Sequence, residues 1–327
     1  MKAFLVAALV ALLPGVAFGA EPRLGLPIAC EIGKTCWVQQ YFDRDPTSEV
    51  ADYQCGRETY DGHDGIDIRL RDIRQSADVT ASAAGTVLGV RDGVADRLVR
   101  SDSDSDRDAV TGIDCGNGVV IDHGDGWQTQ YCHLAQGSLV VTKGGQAAAG
   151  QKLGKVGYSG MAAFPHVHLT VRHNGTAVDP FRRSAPDAGS CGGLADPLWT
   201  EDALKALAYR QSEVIGFGFA PGPVNITDLE DGALGGQEPQ ANWPALVAYG
   251  WAINLLAGDS VTVTLKGPDG IAASNTAAIE RSKGHYMLFA GKKRPGQGWP
   301  RGGYAASLTI GPIDAPRLTQ EWQFTLR

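Results

Sequence analysis

Residues 116–134 read GNGVVIDHGDGWQTQYCHL. Gly118 to Ile121 and Trp127 to Leu134 have strand composition, and HGDG, His123 to Gly126, supplies the turn residues between them, so the stretch predicts a β-hairpin. Working outward, Ile66, Ile68 and Leu70 alternate with Asp67 and Arg69. Downstream, Val167, Leu169 and Val171 alternate with His166, His168, Thr170 and Arg172. A period of two is the signature of half-buried strands. Helical periodicity is nearly absent from residues 60 to 180, which therefore read as short antiparallel strands joined by turns.

Composition agrees. Glycine accounts for 43 of 327 residues, nearly twice the ordinary share of roughly 7%. Hydrophobic residues at 43% and charged residues at 20% supply a real core and exclude a disordered, collagenous or coiled-coil chain. The net charge is −7 and no basic run tracks phosphates, so a nucleic-acid partner is not expected. The N-terminus has Lys2, an apolar run from Ala3 to Leu13, then Pro14 and the small residues Ala17, Gly19 and Ala20. This is the pattern of a secretory signal peptide, residues 1–19, with cleavage after Gly19 or Ala20. The run is too short to span a bilayer, which takes roughly 20 residues, so no stable membrane insertion is expected after cleavage.

Six cysteines, Cys30, Cys36, Cys55, Cys115, Cys132 and Cys191, are even in number and suit disulfides in an oxidising compartment. Cys30 and Cys36 are close enough for a local clip; the other four have three open pairings. All six precede residue 192, the first sign of a boundary. The expected division is a first unit over 20–209, with its motifs in 60–181 and a polar insertion over 91–115, followed by a linker and accessory domain over 210–327. The insertion contains DSDSDRD, Asp102 to Asp108, which lacks the glycine and terminal glutamate of a calcium loop and reads as a solvated excursion. Beyond a short helix, Glu201 to Tyr209 with Thr200 as cap, Val247, Tyr249, Trp251, Ile253 and Leu255 alternate with small or polar residues. Val261, Val263, Leu265 and then Trp322, Phe324, Leu326 do the same. These predict a smaller C-terminal β-sandwich, for which an immunoglobulin-like form is one candidate, with its aromatics used for packing.

Three motifs carry the chemistry. In HDGID, residues 63, 65 and 67 share one face of an extended chain, and Gly65 leaves space between His63 and Asp67. In HVH, His166 and His168 share a face with Val167 and Leu169 behind them. In YCH, Tyr131 and His133 share a face, with a packing role expected for Tyr131. Four histidines and one aspartate on polar strand faces have the composition of a metal site. Two neutral imidazoles and one carboxylate would leave a catalytic zinc with net positive charge and an open position. No HExxH supplies a glutamate base. GYSGM at 157–161 has Met161 where a nucleophile elbow needs glycine, and GFGFAPG at 216–222 lacks the spacing for a dinucleotide. His123, His173 and His285 fall outside the motifs and read as surface or turn residues.

Taken together, GHDGIDI, ASAAGTVLGV, the 116–134 stretch, GQKLGKVGYSG, PHVHLTV and VDPF resemble the lysostaphin-type, or LytM-like, zinc metalloendopeptidases that cut peptidoglycan peptides. The resemblance runs from about Tyr60 to Phe181. By position it implies one Zn2+ per chain on His63, Asp67 and His168, with His133 and His166 as non-ligand catalytic histidines. The implied function is hydrolysis of peptidoglycan peptide cross-links by zinc-activated water, periplasmic in a Gram-negative cell or secreted. The alternative is a catalytically silent LytM-like activator of a cell-wall amidase. Such members lose zinc ligands, whereas all three are present here. The aspartate-rich insertion and the extra cysteines depart from the pattern.

Overall fold

The computed structural model describes residues 21–99, 104–184, 192–235 and 237–327; the expected signal peptide lies outside them. Ten strands build the first unit: β1 (Trp37–Gln40), β2 (Ile66–Arg69), β3 (Asp78–Thr80), β4 (Gly85–Arg91), β5 (Asn117–Gly124), β6 (Trp127–Leu134), β7 (Gln146–Ala147), β8 (Lys152–Lys155), β9 (His166–His173) and β10 (Thr176–Ala177). Eight of them form one antiparallel sheet in the order β1-β2-β9-β6-β5-β4-β7, with β10 beside β9. The predicted hairpin is β5–β6. Its two-residue turn, Asp125 (φ 47°) and Gly126 (φ 79°), has both residues at positive φ, as the right-handed twist of the strands favours. The three motifs come together because β2, β9 and β6 are neighbours, with His168 opposite Asp67 on one side and Cys132 on the other.

One face of these strands is core. Ile66, Ile68, Tyr131, Val167, Leu169 and Val171 belong to a single buried cluster. The other face of β2 is not solvated as the alternation predicted, since Asp67 and Arg69 are also buried. The Arg69 guanidinium lies between two rings, 4.5 Å from the centroid of Phe164 and 5.0 Å from that of Trp251. It donates to Gln39 Oε1 (2.9 Å) and the Leu70 carbonyl (3.0 Å), and burial lowers its pKa to about 10.

Trp251 comes from the C-terminal unit, whose strands are β11 (Glu213–Ala220), β12 (Ala245–Leu255), β13 (Ser260–Gly267), β14 (Gly270–Ala278), β15 (Lys283–Lys293), β16 (Gly302–Gly311) and β17 (Leu318–Leu326). They form a β11-β12-β15 sheet and a β14-β13-β16-β17 sheet, packed through Leu246, Ala248, Val261, Val263, Leu265, Leu308 and Ile310. This seven-strand, two-sheet antiparallel connectivity is that of an immunoglobulin-like sandwich. The alternation in β12 is real, but its larger side chains point the other way from the expectation. Val247, Tyr249, Trp251 and Ile253 pack with Trp37 of β1 and with Val224 and Leu229 around α3 (Ile226–Glu230). Only Leu255, beyond the left-handed Asn254 (φ 57°), rejoins the sandwich core. β12 is thus buried on both faces, and the two units share an apolar interface.

Cys30–Cys36 and Cys115–Cys132 are disulfides; Cys55 is disulfide-bonded as well, and Cys191 lies outside the described residues. In the insertion, Asp104–Asp108 is a short helix, α1, whose Asp106 is buried against Arg97 instead of solvated. The helix after the first unit, α2 (Glu201–Ala206), is capped by the Thr200 hydroxyl as predicted, but stops short of Tyr209. Among the described residues no helix is long and apolar enough to cross a membrane.

Candidate metal centre

His63, Asp67 and His168 are brought together, with one donor atom from each within 4.8 Å of the others. His63 Nε2 is 3.3 Å from Asp67 Oδ1 and 3.1 Å from His168 Nδ1, which is 2.8 Å from the same Oδ1. The outer atoms of the rings fix which nitrogen faces inward. His63 Nδ1 lies 2.6 Å from the Tyr41 carbonyl, an acceptor only, so Nδ1 carries the proton and Nε2 presents a lone pair. On His168, Nε2 meets Asp64 Oδ1 (3.2 Å) and Thr170 Oγ1 (2.9 Å), leaving Nδ1 inward. Arg172 Nη2 in turn donates to Asp64 Oδ2 at 3.3 Å. Such outer partners fix the tautomer and orientation of metal-binding imidazoles.

Gly65 contributes by having no side chain. A Cβ there would lie 2.8 Å from His168 Nε2 and 2.5 Å from the Leu169 carbonyl. The space predicted between His63 and Asp67 is in fact the space the His168 ring uses.

Electrostatics test the fit to a cation. With both imidazoles neutral and protonated on their outer nitrogens, two lone pairs and a buried carboxylate would converge with no hydrogen to share, an arrangement that repels itself unless a positive charge sits among them. Burial pushes Asp67 toward its neutral form, yet His63 and His166 outweigh this and hold its carboxyl well below the usual range. Burial disfavours imidazolium at His168, but hydrogen bonds to Asp64 and Asp67 raise it to about 9. A donor set of two nitrogens and one oxygen, with partners behind each imidazole, suits zinc.

His133 and His166 stand beside this cluster, their ring centroids 4.5 Å apart. His166 Nε2 is 3.7 Å from Asp67 Oδ1. Each ring donates Nδ1–H to a carbonyl at 2.8 Å, His133 to Ser159 and His166 to Phe164, which leaves both Nε2 atoms as acceptors. Burial lowers the pKa of both, reinforced at His133 by His166 and His168, so both are neutral near pH 7. The structure thus places all five predicted site residues in one cluster.

It corrects the face of Tyr131. That side chain is in the core, its hydroxyl accepting from the Ser82 amide (2.7 Å), and His133 leaves the alternation because its backbone is left-handed (φ 63°). His123 is not a surface residue either. It is buried between the Ala84 carbonyl and Thr129 Oγ1, at 2.8 Å from each. His173 stacks on Trp127 at 4.2 Å, and His285 lies 3.6 Å from Glu230. Sequence reasoning missed Asp64 and the orienting carbonyls of Tyr41, Ser159 and Phe164. The first is legible only as an acidic neighbour of His63, and the carbonyls carry no side-chain signal.

The fold and this cluster define an antiparallel β-sheet domain with a candidate metal centre on one face. Residues 61–180 match the model of Peptidase family M23, and the chain carries an M23 domain of the LytM type over that stretch. Among particular relatives, Peptidoglycan DD-endopeptidase ShyA of Vibrio cholerae is 36% identical over 75 residues, which is 23% of this chain and 17% of that protein. DD-carboxypeptidase/endopeptidase Mpg of Neisseria meningitidis is 37% identical over 71 residues, 22% of this chain and 16% of that protein. The matched stretch is therefore about a sixth of each relative's length. Among solved structures, the catalytic domain of the prophage-encoded M23 protein EnpA from Enterococcus faecalis, a mutant form, aligns with TM-score 0.32 at 22% identity, over 52% of this chain and 99% of that one.

Proposed function

We propose that the protein is an exported zinc metalloendopeptidase that hydrolyses peptide cross-links of peptidoglycan, with His63, Asp67 and His168 as ligands and His133 and His166 as the proton-transfer pair. The observation that carries this is the convergence of three inward-facing donor atoms beside two neutral imidazoles with free Nε2 acceptors. A relative named as a peptidoglycan DD-endopeptidase supports the substrate class, and the leader-like sequence pattern of residues 1–19 supports a periplasmic or secreted location. A bound zinc supplies Lewis acidity, polarising the scissile carbonyl and making a water acidic near neutral pH. The chain's own residues move the protons. One Nε2 accepts the proton of the attacking water as the new C–O bond forms, and that imidazolium then protonates the leaving nitrogen as the C–N bond breaks. Nδ1 stays locked on its carbonyl throughout, so the exchangeable site is always Nε2. The C-terminal sandwich, with the linker from residue 210, is the accessory unit.

The test is digestion of purified murein sacculi by the zinc-loaded full chain, with mass analysis of the fragments. Cross-linked muropeptides should give way to uncross-linked ones with the glycan intact. An unchanged sacculus, together with stimulation of a separate amidase, would establish the silent-activator reading in its place.

A further inference from the structure

The extra cysteines are the feature the catalytic reading leaves unexplained, and one pair adjoins the candidate site. Regular alternation would turn His133 to the same face as Tyr131, into the core against Leu169. It does not, because β5 and β6 lose register at this point. Asn117 pairs with Leu134 and Val119 with Tyr131, so Cys132 and His133 together oppose the single residue Gly118. This is a β-bulge, a device that re-aims a side chain, and the residue re-aimed is His133 in the left-handed region.

The bulge is held from both sides by one covalent link. Cys132, immediately before His133, is bonded to Cys115, and the Cys115 carbonyl accepts the His133 amide at 2.8 Å. The two cysteines thus grip the peptide unit on which the imidazole is mounted. Packing in the same loop shows how little slack there is. A Cβ on Gly118 would lie 2.9 Å from Cys115 Sγ and 2.5 Å from the Tyr131 carbonyl. One on Gly116 would lie 2.3 Å from the Ser159 carbonyl, the group that receives His133 Nδ1–H. Asn117 N donates to Ser159 Oγ (2.9 Å), which donates to the Leu134 carbonyl (2.7 Å). The loop after the disulfide therefore fixes the peptide and the ring partner of His133 together.

We propose that the Cys115–Cys132 disulfide is a positioning device for His133, holding the bulge that turns this imidazole out of the core and into the candidate metal site. The proposal rests on the reading of His133 as a proton-transfer residue, not a ligand. None of the three candidate ligands is on β6 or on the bulge, although Cys132 stands opposite His168 across the ladder, so opening the disulfide is expected to displace the catalytic ring and keep the metal.

The experiment compares the full chain with a Cys115→Ser/Cys132→Ser variant, and with Cys30→Ser/Cys36→Ser as a control disulfide remote from β6. Four quantities are read: zinc per chain, kcat and KM on a short soluble cross-linked peptide, and the imidazole nitrogen NMR signal of His133. The expected result is unchanged zinc and KM, with kcat lower by about 10²-fold, the scale of a misplaced catalytic group. The His133 Nδ1–H signal should lose its hydrogen-bonded shift, while the control keeps every value. Because Cys132 is buried, a Cys115→Ala/Cys132→Val variant repeats the test without buried hydroxyls if the serine pair does not fold. A kcat within twofold of the parent and an unaltered His133 signal would overturn the proposal. Should the parent have no peptidase activity, the proposed function fails, and the His133 signal alone then decides whether the disulfide positions the ring.

Discussion

Raising the pH from about 5.5 to 7.5 should weaken the folded chain through one carboxyl group. Glu58 is 4% exposed; its Oε2 accepts from Asn254 Nδ2 of β12 at 3.2 Å, and its Oε1 has no hydrogen-bond partner among the described residues. Burial, reinforced by the nearby charges of Asp52 and Glu213, pushes its pKa from 4.5 up to about 9. Between those values the unfolded chain has released a proton that the folded chain retains. Unfolding then releases one proton, and stability falls with rising pH by about 1.4 kcal/mol per unit. The contribution is fully present below pH 4.5 and is lost as pH climbs toward 9. Two pH units cost about 2.7 kcal/mol, a large part of a typical total of about 5–15 kcal/mol. Glu213, pushed by burial to about 7, adds to the decline in the lower part of the range, so the quantity to isolate is the difference between the parent and Glu58→Gln. Urea unfolding of both chains at three pH values gives it. The parent-minus-variant free energy should drop by about 2.7 kcal/mol across the range. A difference constant to within about 0.5 kcal/mol would refute a protonated Glu58, and with it the dry contact between the two units.

His63→Ala, Asp67→Ala and His168→Ala should each abolish stoichiometric zinc, read by metal analysis. His133→Ala and His166→Ala should keep zinc and lose about 10²–10⁴-fold in kcat; loss of zinc in either would mean the roles are reversed. Gly65→Ala should weaken zinc binding in a chelator competition and lower the thermal midpoint as well, because the added methyl meets both the His168 ring and the Leu169 main-chain carbonyl. A chain ending near residue 210 should still bind zinc but be less soluble, since it uncovers Trp37 and Arg69, and be less active on sacculi than on a short peptide. If it held zinc but cut no small peptide that the full chain cuts, the sandwich would have to contribute to the site.

Strand periodicity made the central sheet legible because side-chain alternation is local: Val167 and Leu169 face the core and His166 and His168 face away, as their sequence demands. The same logic failed wherever a non-local contact took over. His133 was assigned the face of Tyr131, since nothing in YCH reveals that Gly118 opposes two residues. Arg69 was expected to be solvated, since its covering ring, Trp251, lies far along the chain. In β12 the alternation could be read but not its direction, because β12 has apolar partners on both sides and the bulkier set serves the neighbouring unit. The five candidate site residues stand out because histidines and an aspartate on polar strand faces are a distinctive composition that local spacing reveals. Their orienting partners were not, being mostly main-chain carbonyls that any residue supplies.

The guanidinium held between Phe164 and Trp251 bears on how freely this architecture can be reshuffled. A catalytic unit joined to a companion by an open tether can exchange that companion by recombination at the linker, since nothing on its surface depends on the neighbour. Here the strand that carries Asp67 ends in a buried cation, one wall of which belongs to the companion and the other to the segment that receives His166 Nδ1–H. A chimera cut at residue 210 would inherit a charge shaped to a ring it no longer has. The compatible junction would carry β12 along with the peptidase sheet or replace Arg69 at the same time, so the two units are inherited as a pair.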